Sequence, residues 1–401
     1  MKTAVTFLLI LLVSLVAFAA PADPPAYELA RVERDIVYTT VNDHPLHLDL
    51  YLPQPIASPS DPNTPSATPA ASPHERYPVI LWIHGGAWRT GSKAAGGRVR
   101  HMIRHGYAIA DINYRLSQQA PYPAAFHDCQ TAVRWVRAHA DQYNLDPNHV
   151  GAAGGSAGGH LVALLGTYPD TTASSDKNGG AAATSGSVIP ADDRGETMSA
   201  IRTTTTTTTA SSDKNDAPAA TSGSVIPPDD RGETMSAIRT PAAETDDYPE
   251  FSSRLQAVCD LFGPSDLLAM PSPDQLEPDV RRRFTPNPVD LFLGGPAHME
   301  PYRSLAIQAS PVTWVSHDDP PFLILHGRAD RVVPYQQSAI LHDALRKAGV
   351  PSTLILVPEG NHGLNPHWNT GNFDQVVANF FNKHLKQNSD PPDPQSPPHK
   401  E

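Results

Sequence analysis

The run YPVILWI, from Tyr77 to Ile83, carries almost no polar side chain and gives way, one residue later, to Gly85 and Gly86. A strand with one wet face alternates apolar and polar residues, so a run that is apolar throughout belongs in a sheet covered on both sides. Helices between parallel strands are the usual cover. The same signature returns in LQAVCDLFG, PPFLILHG and STLILVP, and with smaller side chains in HVGAAGGS. Segments with helical spacing lie between these runs: GGRVRHMIRHGY before AIADINY, FHDCQTAVRWVRAHADQY before HVGAAGGS, YQQSAILHDALRKAG stopped by Gly349, and a closing NFDQVVANFFNKHLKQ. DIVYTTV and LHLDLYLP read as an opening pair of strands. The alternation predicts an α/β fold with a mostly parallel central sheet and helices on both faces, and such sheets offer ligands the carboxyl ends of their strands.

Not all of the chain's 401 residues suit such a domain. The opening MKTAVTFLLILLVSLVAFAA joins a basic Lys2 to an apolar stretch and ends on small residues, which reads as a signal peptide over residues 1–19. An anchor helix fits less well, because Thr6 and Ser14 interrupt a stretch already short for a bilayer. No later stretch is apolar enough to cross a membrane, so the mature form is expected to be exported, with no membrane partner. Prolines, 42 in all, are clustered. Residues 54–76 hold almost no large apolar side chain and read as a solvated linker, and residues 388–401 read as a disordered tail. The stretch VIPADDRGETMSAIRT, ending at Thr203, returns as VIPPDDRGETMSAIRT ending at Thr240, an offset of 37 residues. Two copies with so few apolar residues cannot build a solenoid core, so residues 170–249 read as a duplicated, disordered insertion following the helix AGGHLVALLG. What remains makes one domain over residues 27–387, with residues 264–318 read as the cap between two core strands.

The formal charge of −12 argues against nucleic acid as a partner, although residues 170–249 contribute much of it, with 13 acids against 6 bases. Cys129 and Cys259 are too few for a disulfide scaffold, and two readings stand: a single pair, or two buried thiols, the latter favoured.

Each loop at a predicted strand end holds a chemically useful group. Gly154-Gly155-Ser156-Ala157-Gly158 is a G-x-S-x-G between a strand and a helix, where small neighbours let a serine project from a strained turn. A serine hydroxyl attacks only when a base removes its proton, and the base needs an acid to orient it. Asp330 in HGRADRVVP and His362 in EGNHG each stand just past a buried strand, which gives the chain order Ser156, Asp330, His362. Taken singly, Asp330 could be a capping carboxylate and His362 a surface histidine; the joint order at the right strand ends is the signal. HGGAW, residues 84–88, supplies main-chain donors for a developing oxyanion: the amides of Gly86 and Ala87, joined by that of Ala157. Trp88 reads either as packing or as a wall of the substrate pocket.

HGGAW, GGSAGGH, HGRADRVVP and GNHG, together with LDLYLP and AVCDLFGPSDL, resemble the α/β-hydrolase carboxylesterases of the bacterial feruloyl and acetyl-xylan esterase-like group, relatives of the hormone-sensitive-lipase branch. The resemblance covers about residues 34–168 and 250–386 and departs from the family at 170–249, where relatives have a much shorter loop. It implies the α/β-hydrolase fold, with Ser156 as nucleophile, Asp330 as orienting acid, His362 as base and Gly86, Ala87 and Ala157 as oxyanion donors.

The expectation is a secreted serine carboxylesterase acting on a small-molecule or carbohydrate-linked ester without cofactor or metal. Amide hydrolysis of the arylformamidase or peptidase kind is the nearest alternative, and a non-catalytic binding module on the same scaffold is the alternative from another class. His44 and His47 in HPLH point to opposite faces of a strand, HDD at 317–319 reads as a turn, and no phosphate-cradling loop or nucleotide fingerprint is present. Arg281, Arg282 and Arg283 read equally as a solvated helix face or as a contact for an anionic or carbohydrate-linked ester.

Overall fold

The computed structural model gathers the apolar runs read as strands into one sheet. Its strands are β1 (Tyr27–Val41), β2 (His44–Pro55), β3 (Tyr77–Ile83), β4 (Ala108–Ile112), β5 (Leu145–Gly155), β6 (Ala257–Leu261), β7 (Phe322–Gly327) and β8 (Ser352–Val357). They lie in the order β1-β2-β4-β3-β5-β6-β7-β8, with β1, β2 and β4 joined antiparallel and all later pairings parallel. The described residues are 27–56, 76–95, 97–170, 247–364, 367–370 and 372–386. The expected signal peptide, residues 57–75 of the proline-rich linker, residues 171–246 of the insertion, residue 387 and the expected tail 388–401 lie outside them.

Alternate residues of the central strands feed two separate cores. Val79, Leu81 and Ile83 point to one, where they meet α1 (Ala124–Ala138) and α3 (Ala157–Thr167), a one-turn α2 (Ala140–Tyr143) lying between those helices. Ile80 and Trp82 point to the other, beneath the closing helix Phe373–Phe381. Truncating a fully buried member such as Leu161 costs about 2–5 kcal/mol. Residues 264–318, the expected cap, form α4 (Pro278–Arg283), α5 (Pro288–Leu293), α6 (Tyr302–Gln308) and α7 (Pro311–Trp314). The chain then runs through β7, α8 (Gln336–Lys347), β8 and α9 (His367–Thr370) to α10 (Phe373–Phe381).

Boundaries moved more than elements did. GGRVRHMIRHGY, expected as an α-helix, is a 3₁₀ turn over Arg100–His105 that Gly106 ends at φ 75°. Met102 and Ile103 within it are buried, as are Val99 before it and Gly106 and Tyr107 after it, so the helical spacing of the buried residues is kept while the backbone winds as a 3₁₀ turn. β2 runs to Pro55, inside the expected linker. The insertion's ends are tied to the domain: Thr39 Oγ1 donates to Asp247 Oδ2 at 2.5 Å, and the amide of Ser253 donates to Asp170 Oδ2 at 3.1 Å. His317 and Asp318 form the expected turn, where the amide and hydroxyl of Ser316 donate to Asp319. His44 and His47, three residues apart on β2, fall on opposite faces.

Cys129 belongs to one core and Cys259 to the other, so the sheet separates the two thiols, and both are free. Burial pushes both thiols well above the ordinary cysteine range. The native protein should therefore leave Ellman's reagent nearly unreacted, and denaturing it without reductant should release two thiols per chain; fewer than two would mean that a disulfide forms.

Candidate active site

The site begins with a place where no side chain fits. A Cβ on Gly158 would sit 2.0 Å from the carbonyl oxygen of Ile83, and one on Gly154 would sit 2.4 Å from that of Gly158. Strand β5 therefore turns into α3 with main chain against main chain, and Ser156 at the apex takes φ 56° and ψ −120°. A non-glycine residue held there costs on the order of 1–3 kcal/mol, a strain that persists only where its surroundings over-determine it. They do so here: the Ser156 amide donates to the carbonyl of Leu261 on β6 at 2.9 Å, and the Ser156 carbonyl accepts the amide of His160 at 2.9 Å.

The three side chains that the chain order singled out meet at this apex. His362 Nε2 lies 2.9 Å from Ser156 Oγ, and His362 Nδ1 lies 2.7 Å from Asp330 Oδ2. With a carboxylate at Nδ1, that nitrogen carries the proton and Nε2 is left to accept from the serine hydroxyl. The Asp330 side chain is fully buried. Burial opposes its charge, but hydrogen bonds from His326 and His362 and from the amide of Val332 outweigh that penalty and hold the carboxyl well below the usual range. The amides of Val332 and Val333 reach Asp330 Oδ1 at 2.8 and 3.0 Å, and His326 Nε2 reaches Oδ2 at 3.2 Å.

Ahead of β4, the HGGAW loop lies against the serine turn: a Cβ on Gly85 would be 2.5 Å from the carbonyl oxygen of Gly155 and 3.3 Å from Cβ of Ser156. Gly86 turns the chain at φ 119°, where a Cβ would strike the Thr90 carbonyl at 2.2 Å. Ala87 and Trp88 follow, both at φ 55°. Ala157 is the first residue of α3, so its N–H has no partner within the helix. Ala87, Trp88, Ser156 and Ala157 share a small cavity of about 50 Å³, closed by Phe284 and Val289 from the cap and by Val332 beside Asp330. Gly86 is not on its wall. Trp88 is only 3 % exposed and borders this cavity. Arg281 spends its guanidinium on the carbonyls of Asp274 and Leu276, within the cap itself.

Sequence reasoning missed several supports. His326 stands four residues before Asp330, fully buried, with Nδ1 2.6 Å from Ser338 Oγ. Arg98 stacks over Trp368 at 4.3 Å and donates to the carbonyl of Gly363 at 2.9 Å, which fixes the backbone next to His362. Phe262 packs edge-on to the His362 ring at 5.0 Å. Helical spacing from Ser156 is a usable signal for His160; nothing local marks Arg98. Among the described residues, no group of three or more His, Cys, Asp or Glu is placed to hold a metal ion.

A mostly parallel sheet wound in this order, with a serine on the sharp turn after β5 and a histidine and a carboxylate on later strand ends, is the α/β-hydrolase fold. Residues 67–190 and 234–345 match the BD-FAE family, more than half of the chain, and the chain belongs to that family. It is similar to the probable carboxylic ester hydrolase LipM of Mycobacterium tuberculosis, 28% identical over 274 residues that make up 67% of this chain and 45% of the relative. It is also similar to esterase LipQ of the same organism, 25% identical over 301 residues, 74% of this chain and 52% of the relative. The chain thus spans about half the length of these curated relatives. Among solved structures, a truncated form of a carbohydrate esterase from gut microbiota superposes with a TM-score of 0.57 at 25% identity, covering 91% of this chain and 99% of that one.

One further buried acid bears on stability. Asp260, at the end of β6, accepts the Gly263 amide at 2.9 Å on Oδ1, while Oδ2 has no hydrogen-bond partner among the described residues. Burial raises its carboxyl to about 6, against the lowering by the Gly263 amide and by nearby His326. A carboxyl whose folded value lies above its unfolded one contributes stability below the unfolded value, near 3.8, and loses it as the pH rises through about 6. Asp260→Asn keeps the acceptor and cannot ionise. Relative to the wild type, it should gain on the order of 2 kcal/mol between pH 4 and pH 8, measured by urea unfolding; a difference that stays constant with pH would refute the assignment.

Proposed function

We propose that the protein is a secreted serine carboxylesterase that cleaves small or carbohydrate-linked esters through an acyl-enzyme. The observation that carries this reading is the unbroken hydrogen-bonded chain from Asp330 through His362 to Ser156, opening on a cavity. Ser156 Oγ attacks the ester carbonyl carbon while His362 Nε2 takes its proton, and the carbonyl oxygen becomes an oxyanion. The amides of Ala87 and Ala157, with that of Gly86, meet this charge. Asp330, kept ionised by its donors, stabilises the imidazolium. Collapse of the tetrahedral species expels the alkoxide, which takes the proton from His362 and leaves as alcohol. Water, deprotonated by His362, then attacks the acyl group, and Ser156 departs with its proton restored.

The small apolar cavity supports a short acyl group, with Trp88 as one wall. Family membership supports ester chemistry, and the carbohydrate esterase among the structural neighbours supports a sugar-linked leaving group. The reading of residues 1–19 as a signal peptide supports export, with a mature chain that starts at Ala20 on N-terminal sequencing.

Ser156→Ala should lower kcat for nitrophenyl esters by roughly ten-thousand-fold or more, and a fluorophosphonate should label the wild type at Ser156 and leave the variant unmarked. Activity should fall as the acyl chain lengthens beyond a few carbons. An unlabelled, inactive wild type would favour a binding module, and unchanged hydrolysis in Ser156→Ala would remove the nucleophile assignment.

A further inference from the structure

Ala87 and Trp88 stand side by side at φ 55°, a left-handed conformation that neither side chain favours. Nothing within HGGAW imposes it beyond the turn at Gly86, whose carbonyl accepts the amides of Arg89 and Thr90 at 3.1 Å each. The strain must be held by contacts from elsewhere, and those contacts converge on one indole. Trp88 stacks on Phe292 with ring centres 4.6 Å apart and planes 20° from parallel. Its other contact is the edge of His160, at 5.1 Å and 87°. Trp88 Nε1 donates to His160 Nδ1 at 3.3 Å, His160 Nε2 donates to the carbonyl of Ala309 at 2.7 Å, and the Trp88 carbonyl accepts both the amide and the hydroxyl of Ser117 at 2.8 and 3.0 Å.

We propose that Phe292 and His160 are positioning residues for the oxyanion donors: by clamping Trp88 between the cap and the helix that carries Ser156, they hold the Ala87 amide in register with the Ala157 amide. This rests on the assignment of Ser156 as nucleophile and of Ala87 as a donor. The geometry explains why one ring serves both purposes. His160 lies one turn along α3 from Ser156, on the same helix whose first N–H is the Ala157 donor, so a bond from Trp88 to His160 references one donor to the other. Phe292 sits on α5, where its carbonyl accepts the amide of Tyr122 at 2.6 Å and its neighbour Val289 lines the cavity. The cap helix is therefore locked behind the oxyanion loop while it also shapes the pocket. Arg89 adds a bond of the same sense, donating to the carbonyl of Arg283 at 2.5 Å. Burial lowers His160 to about 4, so at ordinary pH its ring is neutral and Nδ1 stays free to accept.

An oxyanion donor acts on the transition state rather than on bound ester, so loosening it lowers kcat and leaves KM nearly unchanged. Phe292→Ala and His160→Gln should each reduce kcat for a nitrophenyl ester by about 10- to 100-fold with KM within about twofold. Phe292→Leu, which refills the volume, and His160→Asn, which places an amide oxygen where Nδ1 stood, should recover most of the loss. Thermal melts accompany each variant; if Phe292→Ala does not fold, Phe292→Leu and the two His160 variants carry the comparison. Wild-type kcat in folded Phe292→Ala or His160→Gln would overturn the inference, as would a rise in KM at constant kcat or a loss in His160→Asn equal to that in His160→Gln. Ser156→Ala, measured alongside, separates the two failures: an inactive Ser156→Ala with an unaffected His160→Gln refutes only the clamp, and an active Ser156→Ala refutes the reading beneath it.

Discussion

Everything at this site hangs on a contact between main chains. The Ile83 carbonyl at the end of β3 and the first turn of α3 approach so closely that a single methyl on Gly158 would collide at 2.0 Å. That approach draws the loop after β3 and the turn after β5 together, so the proposed donors of HGGAW and the proposed nucleophile share one rim. At this turn Ser156 takes its strained φ and its hydroxyl meets His362 Nε2. A fold with ordinary side chains at positions 154 and 158 would keep its sheet and lose its site.

Two buried carboxyls near the strand ends meet the same desolvation and are shifted in opposite directions. Asp330 collects donors from His326, His362 and the amides of Val332 and Val333, and these keep it ionised despite burial. Asp260 has one amide and a nearby imidazole, and burial wins. The number of hydrogen bonds aimed at each group decides the outcome, because a buried charge is tolerated only where its lone pairs are met. A charge fixed in this way on Asp330 can stabilise a cationic His362, which is what an acyl-transfer cycle asks of it.

The cap and the floor of the candidate site are one packing unit. Phe292 touches Trp88, His160 and Tyr122, and so joins the cap, the oxyanion loop, α3 and the chain leading into α1. The segment that shapes the pocket thereby also steadies the loop that would stabilise the transition state, and changes in the cap should reach both.

Short-range pattern determined a good deal. Unbroken apolar runs such as VILWI and FLIL demand cover on both faces, and that alone leads to a parallel α/β sheet; glycines around Ser156, with a carboxylate and a histidine just past later strands, single out Ser156, Asp330 and His362 because each signal lies within a few residues of a strand end. The fate of the cysteines was not legible, since it depends on which core each strand faces. Neither was the 3₁₀ winding at Arg100–His105, because buried Val99, Met102, Ile103 and Tyr107 fall at a spacing that suits an α-helix equally. Tertiary structure alone decided that Arg98 would grip Gly363, that His326 would support Asp330 and that Phe292 would press on Trp88. Arg98 and Gly363, and Phe292 and Trp88, are separated by hundreds of residues, and His326 meets Asp330, four residues on, only through the path of the loop after β7; no local periodicity records such contacts.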